Sequence, residues 1–321
     1  MQDSWPIVNS VLGVFLVIGI GAFARHLGCL TRESDKSLAN LTTNVLLPAY
    51  FLQKIVVGEH PEISSGLWTP PLFGLITTTV GFVLAYLFAK AVGPKFGLAS
   101  SSSQSVFALC VGVCNYGFIP LPLAEQYYPD AIIDLILHNV GVNLALWSVG
   151  IAIISGSIRD GWRKAFLTPP FLTVVIAISL QHFDQTNVIP AAVATGIENL
   201  GSCAIPMGLI LSGAIMVDFL KEASWLGSFR IAVAAIILRQ ILFPVLMLVA
   251  ARYLTDSITL RQVMLLQAAM PAAIFPIVIV KLYDHEIDTA LRVVLASSLA
   301  GIVTIPFWLT YGAAWLLPAG G

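Results

Sequence analysis

Two stretches of this sequence place helix breakers and polar groups together inside long apolar runs. One is Asn115-Tyr116-Gly117-Phe118-Ile119-Pro120-Leu121-Pro122; the other is Gln267 followed by Pro271 and Pro276. Gly117 and the prolines work against a continuous helix at either place. In a lipid environment, irregular backbone is tolerated only where it is buried in protein or lines a cavity. A half-helix that begins at such a break turns free N–H groups and the positive end of its dipole toward it, which attracts an anion without a buried lysine. The bland alternative is a pair of proline kinks. Asn115 either binds a ligand through its amide or caps freed backbone, and Gln267, one turn before Pro271, is a similar candidate.

Other polar residues at apolar positions are fewer. Arg239 sits in Ile237-Leu238-Arg239-Gln240, at the centre of an apolar run. A charge there costs at least about 2.5 kcal/mol, so it pairs either with a substrate carboxylate or with carbonyls exposed by the broken helices. His138 is either a protonatable coupling residue or a hydrogen-bonded structural histidine, and Asp134, one turn away, is either its partner or a solvated loop-end carboxylate. Asn44 and Ser202 each stand four residues before a proline, Pro48 and Pro206, which removes the bond to their own carbonyl; local repair of a kink explains them at least as well as binding. Glu125, Asp130, Asp184 and Glu198 read as outer-surface residues.

The elements that must hold these groups follow from composition. Of 321 residues, 58% are apolar and only 10% charged, and mean hydropathy is +0.90. A soluble domain carries about 25% charged residues, so the chain reads as an all-α polytopic membrane protein. A net charge of −1 gives no pull toward nucleic acid. Cys29, Cys110, Cys114 and Cys203 form no CxxC pair, so neither a disulfide framework nor a metal site is expected, and Cys110 and Cys114 would share a helix face at i, i+4. MQDSWP lacks the positive n-region of a signal peptide, so the first apolar run is expected to persist as a helix. HExxH, GxGxxG and Walker motifs are missing, so neither an enzyme nor a cofactor is expected.

Ten apolar spans are expected near 5–24, 37–57, 67–92, 102–128, 131–154, 166–183, 190–219, 227–253, 261–283 and 289–316. With both termini outside, twelve basic residues fall in cytoplasmic loops: Arg25, Arg32, Lys36, Lys90, Lys95, Arg159, Arg163, Lys164, Lys221, Arg230, Lys281 and Arg292. Only Lys54, Arg252 and Arg261 fall outside. That bias sets the orientation, in a plasma or bacterial inner membrane.

The spans also repeat. Asn44 and Pro48 in span 2 recur as Ser202 and Pro206 in span 7, at an offset of 158; Asn115 and Pro120 in span 4 recur as Pro271 and Pro276 in span 9, at 156. Five spans per half is an odd number, so residues 1–155 and 156–321 would be inverted repeats, with broken spans 4 and 9 crossing at mid-membrane.

NVLLPAYF in span 2, VCNYGFIPLPL in span 4, IENLGSCAIPMGLILSGAIM in span 7 and AAMPAAIFPIVIVKLYDHE in span 9 resemble the auxin efflux carrier family, which includes plant PIN and PIN-like carriers and bacterial malonate or malate permeases. The resemblance implies the ten-helix fold of bile-acid symporters and sodium/proton antiporters. It implies a scaffold of spans 1, 2, 6 and 7 that dimerises, and an elevator-like transport domain of spans 3–5 and 8–10. Asn115 then matches the family's crossover asparagine, with Pro120 and Pro276 as its prolines. Ala272 stands where plant carriers often have a polar residue, a departure that argues against auxin itself.

The expected function is secondary active or potential-driven transport of a small organic anion, a carboxylate such as an auxin-like acid or a dicarboxylate. Its partners would be that anion, the bilayer and a second copy of the chain. Asn115, Gly117, Pro120, Gln267, Pro271, Pro276 and Arg239 form the candidate binding set. A sodium-coupled symporter of the bile-acid type is the alternative, and a ligand-binding channel or sensor is a third reading from another class.

Overall fold

A computed structural model describes residues 5–58, 66–157, 161, 166–183, 189–222 and 229–318. Arg159, Arg163, Lys164 and Asp184, and residues 1–4, lie outside the described residues. Apart from one isolated antiparallel bridge, the described residues are all-α. Twelve main helices follow in order. They are α1 (Trp5–His26), α2 (residues 32–57), α3 (Thr69–Ala91), α4 (Ser101–Gly112), α5 (Pro120–Tyr127) and α6 (Pro129–Ser155), then α7 (Pro169–His182), α8 (Ala191–Glu222), α9 (Phe229–Leu254), α10 (Ile258–Ala269), α11 (Phe275–Leu282) and α12 (Ile287–Leu316).

Six of these, α1, α3, α6, α8, α9 and α12, are each long and apolar enough to cross a membrane. Helix α7 is apolar but has 14 residues. The fourth expected span is α4 and α5 with a gap between them, and the ninth is α10 and α11. The outer face of the bundle suits lipid: Leu12, Leu16, Ile20 and Phe23 on α1, and Leu72, Ile76 and Val80 on α3, are exposed.

The breaks expected at Pro48 and Pro206 are not breaks. Pro206 lies inside the 32-residue helix α8, and the Ser202 hydroxyl donates to the Glu198 carbonyl at 2.8 Å. Pro48 follows a π-helical turn, Thr42–Leu46, that contains the exposed Asn44. One proline removes one backbone bond of a long helix; around Pro206 the helix runs on, and before Pro48 a widened turn carries the chain past it. The expected helix face shared by Cys110 and Cys114 is also absent, because α4 ends at Gly112 and Cys114 lies in extended chain.

Close backbone approach fixes two helix pairs, as is usual where lipid gives no hydrophobic drive between helices. On α6, a Cβ at Gly141 would stand 1.8 Å from the Pro71 carbonyl of α3; on α8, a Cβ at Gly213 would stand 1.8 Å from the Ile18 carbonyl of α1. The first of these contacts sets the height of His138 and Asn139 on α6. The buried core divides into two clusters that meet at the helix breaks, with Cys114 in one and Ala272 in the other.

Candidate functional site

The two breaks touch. After α4 the chain runs extended through Val113, and Cys114 bridges Ala272 in antiparallel fashion. Asn115 N–H donates to the Pro271 carbonyl at 2.7 Å, and Ala273 N–H donates to the Val113 carbonyl at 3.1 Å. Each bond answers backbone groups that the breaks set free. The Ala272 N–H is met by Ser297 Oγ of α12 at 3.1 Å.

Beyond the bridge, the first break stays open. The N–H groups of Tyr116, Gly117, Phe118 and Ile119 find no acceptor among the described residues before Leu121 N–H bonds the Gly117 carbonyl. Residues 115–118 are half-buried, and the Cβ position of Gly117 faces open space. The Asn115 side-chain amide makes no hydrogen bond among the described residues. Pro120 starts α5 and Pro276 lies in the first turn of α11, each at a position that needs no N–H of its own.

Gln267 and Arg239 are brought to the same crossing but are already engaged. Gln267 is fully buried. Its Nε2 donates to Asn139 Oδ1 at 3.0 Å and to the Tyr116 carbonyl at 3.4 Å, and its Oε1 accepts from Cys114 Sγ at 2.9 Å. Arg239, on a π-helical turn of α9, donates from Nε to the Met270 carbonyl at 3.1 Å and from Nη2 to the Gln267 carbonyl at 3.2 Å. These carbonyls close α10, where the helix dipole is negative, so the guanidinium both caps and neutralises that end. Of the two pairings open to Arg239 in sequence, the carbonyls are the ones it makes here.

His138 and Asp134 are not a pair. Asp134 is 2% exposed rather than solvated and accepts from Thr259 Oγ1 of α10 at 2.5 Å. His138 is 1% exposed, and neither ring nitrogen meets a hydrogen-bond partner among the described residues. Asn44 and Ser202 lie on α2 and α8, away from the bridged segments, and take no part in it.

A model of a family described as membrane transport proteins matches residues 6–160 and 156–309. The chain belongs to the auxin efflux carrier family. An uncharacterized transporter of Methanothermobacter thermautotrophicus is 23% identical over 310 residues, covering 94% of this chain and 96% of the relative. One from Methanocaldococcus jannaschii is 24% identical, covering 97% and 98%. The Escherichia coli uncharacterized transporter YfdV is 21% identical, covering 94% and 96%. This family member is therefore an integral membrane transport protein.

Several contacts around the candidate site could not be read from the sequence. Ser297 is an unremarkable polar residue in an apolar run until the fold brings it to the second break, and Thr259, at the start of α10, until it meets Asp134. Asn139, the neighbour of His138, gains its part only as the partner of Gln267. Lys54 counted only as a charge, yet its Nζ lies 2.6 Å from Glu125 Oε1, and Tyr50 Oη donates to the same oxygen at 3.0 Å. Ser10 and Tyr127 meet through their hydroxyls at 2.6 Å. These contacts tie α5 to α1 and α2. Among the described residues no cluster of three His, Cys, Asp or Glu could hold a metal ion.

Proposed function

We propose that this protein is a secondary carrier of a small organic anion, a carboxylate, which it moves by alternating access. The observation that carries the reading is the open break before α5. Four successive N–H groups and the adjacent Asn115 amide have no partner among the described residues, in a half-buried segment with open space at Gly117. Such a site takes a carboxylate by hydrogen bonds and helix dipole alone.

In this reading ten spans form two inverted five-helix repeats, residues 1–155 and 156–321, with both termini outside. The bridge supports the repeat. An offset of 158 maps the bond from Asn115 to Pro271 onto the bond from Ala273 to Val113, and it is the same offset that relates Asn44 and Pro48 to Ser202 and Pro206. The same offset relates Gly112 to Met270 and Gly81 to Arg239. Arg239 bonds the Met270 carbonyl, while a Cβ at Gly81 would stand 2.8 Å from the Gly112 carbonyl. One half covers its exposed helix end with a guanidinium, the other with the close approach of α3. After the break the offset falls to 156 at Pro120 and Pro276, because the first break is two residues longer; that surplus is the open segment.

Spans 1, 2, 6 and 7 (α1, α2, α7 and α8) form the scaffold, where a homodimer would assemble, and the remaining spans form the body that moves. Anion binding is tested by thermal unfolding of purified protein with malonate, malate or indole-3-acetate. A ligand at a hundred times its Kd stabilises by about 2.7 kcal/mol. A raised Tm that Asn115→Ala abolishes supports the site; an equal rise in the variant refutes it. A rise that needs sodium transfers the assignment to a sodium-coupled symporter.

A further inference from the structure

The crossing has a second face. In extended chain, successive side chains point to opposite sides, so Cys114 faces away from Asn115. On the Cys114 side lies a cavity of about 300 Å³ between α3 and α9. Its walls are apolar, and Leu72, Ile76 and Val80 of α3 and Leu246 and Leu254 of α9, which line it, are exposed on the outer surface of the bundle. The polar side chains in its lining are Thr77, Thr78, His138 and Arg239, the last three of them buried.

His138 is the telling residue. It is 99% removed from solvent, lines the cavity and carries two nitrogens without a partner among the described residues. A buried donor or acceptor left unmet costs about 1–3 kcal/mol, so natural interiors seldom keep one idle. Arg239 spends Nε and Nη2 on the carbonyls of α10 and makes no further hydrogen bond among the described residues. Its charge borders the cavity with no acidic residue in the lining.

We propose that this cleft is a second ligand site, distinct from the space at Gly117, and that it takes a long-chain fatty acid from the bilayer. The carboxyl head would sit at His138 and Arg239, and the chain would run along the apolar walls of α3 and α9 toward the lipid. Three features select this occupant: a buried cation, an unmet histidine in the same lining, and an opening onto an apolar exterior rather than onto water. A bound head would also brace the arginine that caps α10, which links this site to the crossing without sharing its ligand.

The test is photolabelling of the full chain in phosphatidylcholine nanodiscs with a diazirine analogue of palmitic acid, mapped by mass spectrometry. Labels are expected within 72–84 and 243–254, displaced by palmitate but not by methyl palmitate. Ala250→Trp, which fills the cleft and leaves its polar side chains intact, should cut labelling about tenfold. His138→Phe should weaken competition by palmitate about tenfold while the apolar walls remain. Labels spread evenly over the exposed faces of α1 and α7, or equal displacement by the methyl ester, would overturn the proposal. So would full displacement by phosphatidylglycerol in the nanodisc, which would make the site one for phospholipid headgroups. None of these results depends on Asn115, so the two sites are tested separately.

Discussion

The N–H of Asn115 lies 2.7 Å from the carbonyl of Pro271 and fastens two interrupted helices at their interruptions. Each helix breaks where its proline leaves backbone groups unpaired, and each break supplies what the other lacks. At the first break the N–H groups from Tyr116 to Ile119 find no acceptor among the described residues, and residues 115–118 are half-buried.

Gln267 holds this crossing from beneath. Gln267→Leu would leave the Asn139 amide buried without its partner and remove the acceptor of the Cys114 thiol. A loss of about 2 kcal/mol is expected, seen as a lower Tm in detergent, whereas Gln267→Glu should be worse because it adds a buried charge and removes the donor to Asn139.

Arg239 acts on the α10 carbonyls, so its amide replacement should separate capping from charge. Arg239→Leu takes the guanidinium donors from both carbonyls, leaving the Gln267 carbonyl with only the Met270 N–H at 3.3 Å, and should fail to express or melt early. Arg239→Gln keeps donors at that position and should recover part of the lost stability. Recovery of folding with the anion-induced Tm shift intact assigns the residue to the helix end; recovery with that shift lost assigns it to the substrate.

The contacts of α5 with α1 and α2 must part if α5 moves against them. Lys54 and Glu125 are partly exposed, so their pairing contributes about 0.2–1 kcal/mol, which shifts a two-state balance about 1.4- to 5-fold. With native cysteines replaced, a reporter made by Phe118→Cys should react faster with a thiol reagent by about that factor once Glu125→Gln is added. An unchanged rate would mean that these residues do not bias the motion.

Gly141 and Gly13 form a matched pair for the packing argument. A Cβ at Gly141 meets the Pro71 carbonyl, while one at Gly13 meets nothing within 4 Å. Gly141→Ala should therefore lower Tm by several degrees and displace the His138 helix. Gly13→Ala should leave Tm unchanged or slightly higher, through helix propensity alone.

Much of this architecture was legible in the residue pattern because lipid restricts what a backbone can do. Gly117, Pro120, Pro271 and Pro276 marked the two interruptions, since adjacent breakers leave too many groups for a helix to repair. Pro48 and Pro206 looked similar on paper, yet a lone proline costs a long helix one bond, and both helices run on past it. The long-range side-chain partners were illegible for another reason. Thr259 is 125 residues from Asp134, and Asn139 is 128 from Gln267, so no local period links them. His138 drew notice as an ionisable residue, but its want of a partner is a property of the packed interior.

Charge movement on a supported membrane tests the central claim most directly. Proteoliposomes would be given concentration jumps of malonate, malate, indole-3-acetate and a bile acid, each with and without sodium. The account predicts a saturable current for at least one carboxylate, independent of sodium and abolished by Asn115→Ala. A current of equal size and affinity in Asn115→Ala would contradict it, because the anion would then be crossing by a route that does not pass the open break.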